Sequence, residues 1–217
     1  MNVFCHIPRE DWIVDRMGIE YSKYSSHNVN FQWIEDDSLI WLFASWCWNQ
    51  IPISFLEKRK VLCTVHHEVP WKFDEKRKEN FLARDKYVDV YHTYTEETKC
   101  LIQKLSSKPV VILPHWVNDK IWFFENKKKA KHHLDLPLDR FIIGSFQRDT
   151  EGSDLKTPKL EKGPDVFLKV VEHLSKNKNV HVLLGGWRRQ YVISGLDSLD
   201  IDYTYIELPD QSVINQM

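Results

Sequence analysis

The 217-residue chain is poor in the residues that punctuate or cross-link a backbone: 7 Gly, 9 Pro and 4 Cys. So little glycine and proline excludes a fibrous repeat or a low-complexity polymer. Cys5, Cys47, Cys63 and Cys100 never stand in a CxxC pair, which leaves out the usual structural zinc spacings. They read as small buried hydrophobes of a reducing compartment, not as a disulfide frame. An excess of one charge is also missing, with 30 Lys and Arg against 31 Asp and Glu. A general nucleic-acid binder carries a basic surplus, so no nucleic-acid partner is expected. Two phosphate motifs are absent as well: no GxxxxGK[ST], and no GxGxxG after the first strand, which disfavours a P-loop enzyme and a dinucleotide dehydrogenase.

Long apolar runs are equally scarce. One stretch, "SLIWLFASWCWNQIPISFL" from Ser38 to Leu56, carries no charge and is long enough for a membrane span. Asn49, Gln50 and Pro52 interrupt it, and Ser45 fits an N-cap between a strand and a helix, so a folded strand and helix is the preferred reading. Met1-Asn2 leads straight into a short strand and then charges, unlike a secretory leader. The expected location is cytoplasmic, with contact at a membrane face left open. Aromatics are plentiful: 9 Trp, 8 Tyr and 11 Phe. Most are expected in the core, and those beside turns could stack on a sugar.

Periodicity alternates strand and helix almost throughout. Strands are expected at residues 2–7, 28–34, 39–44, 60–65, 88–91 and 110–113, with helices at 10–25, 46–58, 74–85 and 95–105 between them. After the basic, helix-prone "ENKKKAKHHL" the pattern restarts with strands at 141–145, 180–184 and 203–207 and helices at 164–176 and 188–196. Repeated βα units require crossover helices and hence a largely parallel sheet. The expected fold is therefore α/β with two Rossmann-like, doubly wound parallel sheets, the second incomplete. Residues 1–117 form the first domain in this reading, 118–140 a linker and 141–217 part of a second domain.

Ligands of such sheets bind at the carboxyl ends of strands. In "VLCTVHHEVP", His66 and His67 stand where a buried strand ends; a histidine there can orient a hydroxyl or accept a proton, and a capped strand end is the plainer alternative. In "GSFQRD…KLEKGPD", Arg148 and Lys162 flank a loop that runs into a helix opening with Gly163-Pro164. Two cations beside a helix N-terminus make a diphosphate site. In "LLGGWRRQY", Gly185 and Gly186 permit close backbone approach, while Arg188 and Arg189 fit either a ligand charge or a solvated helix face. His92, His115 and the pair His132-His133 show no metal-ligand spacing, so no metal is expected.

Taken in order, "VLCTVHHEVP", "YVDVYHTYTEETKCLIQKL", "VVILPHWVNDKIWF" and "IIGSFQRD…KLEKGPDVFLKVVEHL…VHVLLGG" resemble retaining glycosyltransferases of the GT-B fold, glycosyltransferase family 4. The resemblance spans roughly residues 62–186. It implies that His66 lies near the sugar's reaction centre, that Thr95 matches a helix-starting serine by the cleft, and that Arg148 and Lys162 grip the nucleotide diphosphate. His67, Gly185 and Gly186 are further cleft positions. It also implies a retaining, hexosyltransferase-type transfer from a nucleoside-diphosphate-sugar to an acceptor hydroxyl, without metal or other cofactor. The acceptor is open: a saccharide, a lipid-linked glycan or a protein; so is homo-oligomerisation.

The chain departs from the family in several places. His115-Trp116 replaces an Asn-Gly turn, the loop between Arg148 and Lys162 is longer, and "HIPRED" stands where a glycine-rich turn is usual. The family's paired glutamates would fall beyond Met217, so the expectation is a truncated enzyme with little activity alone. The alternative reading is a non-catalytic Rossmann-like module that binds a nucleotide or a partner.

Overall fold

The computed structural model describes residues 1–11, 13–33, 39–66, 68 and 72–207. They fall into two units, Met1–Val117 and Asn118–Met217. In the first, six strands form one parallel sheet: β1 (Asn2–His6), β2 (Asn28–Asn30), β3 (Leu39–Leu42), β4 (Lys60–Thr64), β5 (Val90–Thr93) and β6 (Val110–Ile112). Their spatial order is β2-β1-β3-β4-β5-β6. The order reverses at β1, so the sheet is wound both ways and its switch point lies between β1 and β3.

Period-2 alternation divides the strand residues between two apolar layers. Phe4, Ile40, Leu42, Val61, Cys63 and Tyr91 face one side, where α3 (Glu75–Asp85) contributes Phe81 and α4 (Glu96–Leu105) contributes Ile102. Val3, Cys5, Trp41 and Phe43 face the other, against Val14 and Met17 of α1 (Ile13–Tyr24).

Several expectations change here. The helix expected over 46–58 is two pieces, a 3₁₀ segment at Ser45–Gln50 and the single turn α2 (Ile53–Leu56). Pro52 is responsible: it holds Ile51 extended (φ −97°, ψ 133°) and cannot donate into a continuing helix. Ser45 is not a cap; Ala44 occupies that position, without a side-chain bond. The fifth strand starts at Val90 rather than Val88. Cys5, Cys47 and Cys63 are free and buried, but Cys100 is exposed, so it is no core hydrophobe. No helix among the described residues is long and apolar enough to cross a membrane.

The second unit carries a parallel sheet in the order β7 (Phe141–Ser145), β8 (Val180–Gly185), β9 (Tyr203–Ile206). Its helices are α5 (Lys127–His133), α6 (Pro164–Ser175) and α7 (Gln190–Ser198). Strand β8 is buried at every position, as the middle strand of a covered sheet must be. Val171, Val182, Leu184, Val192 and Leu196 form its core. Residues 118–140 cluster with this unit: Leu134 and Leu136 pack on Leu183. Lys131, buried despite its charge, donates to the carbonyls of Pro137, Leu138 and Arg140 at 3.1, 3.2 and 2.8 Å. Three carbonyl partners compensate a desolvated ammonium and fix the turn into β7.

Candidate functional site

At the carboxyl ends of β3 to β6 the first unit presents a wall of rings. His66 follows β4, is half-buried, and donates from Nε2 to the Phe43 carbonyl at 2.7 Å. A carbonyl only accepts, so this bond sets the tautomer. The His66 ring lies 5.3 Å from Tyr94 and 5.8 Å from Trp46. His115 stacks on Tyr94 at 3.6 Å, and Trp116 donates its indole N–H to Glu20 at 2.9 Å. His115 and Trp116 therefore both pack into the first unit. His67 lies outside the described residues. Thr95 caps α4: its Oγ1 accepts from the Thr98 amide at 3.2 Å.

A chain of buried polar groups supports this wall from beneath. Trp41 Nε1 donates to Thr64 Oγ1 (2.9 Å), Thr64 contacts His92 Nδ1 (3.0 Å), and His92 Nε2 donates to the Leu113 carbonyl (3.2 Å). The chain links β3, β4, β5 and the end of β6. Burial pushes the His92 pKa below its ordinary value. Alternating "VLCT" and "VYHT" could have flagged Thr64 and His92 as inward-facing polar residues needing partners.

The "HIPRED" turn closes without glycine. Arg9 and Asp11 take left-handed conformations (φ 58° and 52°), and the buried Asp15 carboxylate holds them by accepting the amides of Arg9 and Glu10, each at 2.7 Å. Non-glycine residues in this region carry strain that surrounding contacts must offset. Beside the turn, at the end of β1, is a cavity of ≈440 Å³ lined by Phe4, Arg9, Phe31, Trp33, Gln50 and Phe55 among others. Apolar ring walls with amide and guanidinium groups suit a polyhydroxylated ligand.

In the second unit the loop after β7 is a closed excursion. Thr150 bridges Pro158 in antiparallel fashion, Glu151 N donates to Thr157 O at 2.9 Å, and Lys159 N to Asp149 O at 2.8 Å. At its tip the Asp154 carboxylate accepts the Thr157 hydroxyl (2.6 Å) and the Lys156 amide (3.0 Å), which holds its pKa down at about 2. At its base Gln147 Nε2 donates to the Lys162 carbonyl at 2.6 Å. The long loop thus leaves its two ends adjacent. Gly163 then takes a left-handed conformation (φ 64°) and Pro164 opens α6, so the chain turns directly from Lys162 into a helix N-terminus.

Gly185 ends β8, and Gly186 (φ 85°) donates its amide to Ile206 O at 3.0 Å. The two arginines that follow are not on a solvated face. Arg189 is fully buried and Arg188 half-buried, its guanidinium donating to the Gly152 carbonyl. No cluster of three or more His, Cys, Asp and Glu side chains suited to a metal occurs among the described residues.

These are the Rossmann-like parallel-sheet units of the GT-B fold. HepE from Anabaena, solved in complex with UDP and glucose, superposes with a TM-score of 0.73 at 11% identity, over 99% of this chain and 70% of that one. Sucrose-phosphate synthase from Thermosynechococcus elongatus superposes at 0.63 and 16% identity, over 97% of this chain and 54% of that one. The chain thus spans about half the length of the synthase. At these identities the likeness is one of fold. No protein-family model and no curated protein sequence matches the chain.

Proposed function

We propose that the protein transfers a sugar from a nucleoside-diphosphate-sugar to an acceptor hydroxyl, with retention at the anomeric carbon. The observation that carries this reading is the Gln147–Lys162 bond, which brings both ends of the β7–α6 loop together at a helix start. Arg148 and Lys162 then stand on one base, and their charges add to the positive end of α6. As the bond from the anomeric carbon to the diphosphate breaks, its electron pair leaves with the phosphate oxygen. Fixed cations stabilise that developing charge without reorganising. The acceptor oxygen bonds to the carbon and its proton leaves with the departing group. His66, oriented by its bond to Phe43, and the aromatic cavity beside β1 are the first unit's own candidates for sugar and acceptor contacts. The complex of HepE with UDP and glucose supports a uridine donor.

Titration calorimetry with UDP tests the grip. Losing a charge-assisted hydrogen bond costs roughly 1.5–3 kcal/mol, about ten- to a hundredfold in affinity. Lys162→Ala and Arg148→Ala are each expected to show that loss. Wild-type affinity in both variants would overturn the assignment.

A further inference from the structure

Beneath the proposed grip lies a buried ion pair that the reaction itself does not use. Asp149 is 1% exposed and Arg189 0%, with Nε 3.8 Å from Oδ2. Each partner ties a different piece of the unit to the loop. Arg189 Nη2 donates to Ser145 Oγ at the end of β7 at 2.7 Å. Asp149 Oδ2 accepts the Val192 amide of α7 at 3.1 Å. The Asp149 backbone donates to Arg188 O at 3.1 Å and accepts Lys159 N at 2.8 Å. One residue after Arg148, the chain is therefore pinned to β7, to α7 and to the returning limb that leads to Lys162.

The pair is a poor device for stability. Asp149 Oδ1 and Arg189 Nε and Nη1 are buried without a hydrogen-bond partner among the described residues. Burial raises the Asp149 pKa and lowers that of Arg189, desolvation leading in both. Well-packed apolar residues commonly replace such pairs at no loss of stability. What apolar residues lack is direction: they fill the space but do not hold a strand end, a helix start and a loop limb in one register.

Building on the diphosphate-grip reading, we propose that Asp149 and Arg189 are positioning residues, whose ion pair sets the backbone from which Arg148 and Lys162 reach the phosphates. The test uses the full chain and UDP. The double variant Asp149→Leu/Arg189→Met is expected to keep a near-wild-type melting temperature while its UDP affinity falls roughly tenfold, the loss expected when a preorganised site loosens. Unchanged affinity in a folded double variant would overturn the proposal. Should that variant not fold, Asp149→Asn with amide hydrogen exchange decides. Faster exchange at Glu151 and Lys159, whose amides close the loop, is expected together with weaker UDP binding; either change without the other refutes the link. Arg148→Ala and Lys162→Ala run alongside. If they bind UDP like the wild type, the grip and the positioning role both fall. If they lose affinity and the double variant does not, only the positioning role falls.

Discussion

At the scale of single residues, polar side chains at strand ends decide what the site can be. His92 is the clearest case. Its Nε2–H donates to a backbone carbonyl and its Nδ1 meets the Thr64 hydroxyl, and burial holds its pKa below 6.5. The pKa values of His6, His115 and His181 are shifted the same way, each led by desolvation. As pH falls, the unfolded chain takes up these protons first, so acid favours unfolding. Stability is complete above the unfolded value and declines as pH drops below about 6.5. Melting temperature followed from pH 8 to 5 should therefore stay flat and then fall. His92→Gln should melt lower at pH 7.5 yet decline less steeply in acid. An unaltered acid slope would remove His92 from the account.

Elements bring residue chemistry to defined places, and two substitutions separate scaffolding from ligand contact. Thr95 accepts the Thr98 amide as the cap of α4, so Thr95→Ala should cost about 1 kcal/mol of stability. Thr95→Ser should restore it; equal destabilisation by both, read from urea unfolding, would point away from the cap. Gly163 turns the chain into α6 at φ 64°, and a Cβ there would meet only Val166 at 3.8 Å. The cost of Gly163→Ala is thus backbone strain, about 1–2 kcal/mol. Weaker UDP binding should accompany it, because Lys162 immediately precedes the turn. Full stability in the alanine variant would contradict the left-handed turn.

For the whole molecule, each unit builds its core from its own residues. Two unfolding transitions are expected by calorimetry. Ile40→Ala should lower one and Val182→Ala the other, each by about 2–5 kcal/mol as buried large-to-small changes do, with the valine at the small end. UDP at a hundred times its dissociation constant should add about 2.7 kcal/mol, and only to the transition that Val182→Ala lowers. Protection of the other transition would place the nucleotide in the first unit.

Hydrophobic alternation was sufficient to determine most of the elements and their parallel pairing, because side-chain period and crossover geometry are local constraints. The β7 strand over Phe141–Ser145 and the Pro164 helix start could be read directly. The sequence also marked Arg148 and Lys162 as a pair by their place around one loop. Only the tertiary structure decided that the loop's ends meet, through Gln147 and the Lys162 carbonyl. It alone put Arg189 inside: an arginine after a Gly-Gly turn has the same sequence pattern solvated or buried, and Asp149, forty residues earlier, sets the difference. The Trp41–Thr64–His92 chain likewise joins three strands whose neighbours are chosen by sheet order. Which buried polar groups become partners depends on distances between strands distant in sequence, and no local pattern encodes those.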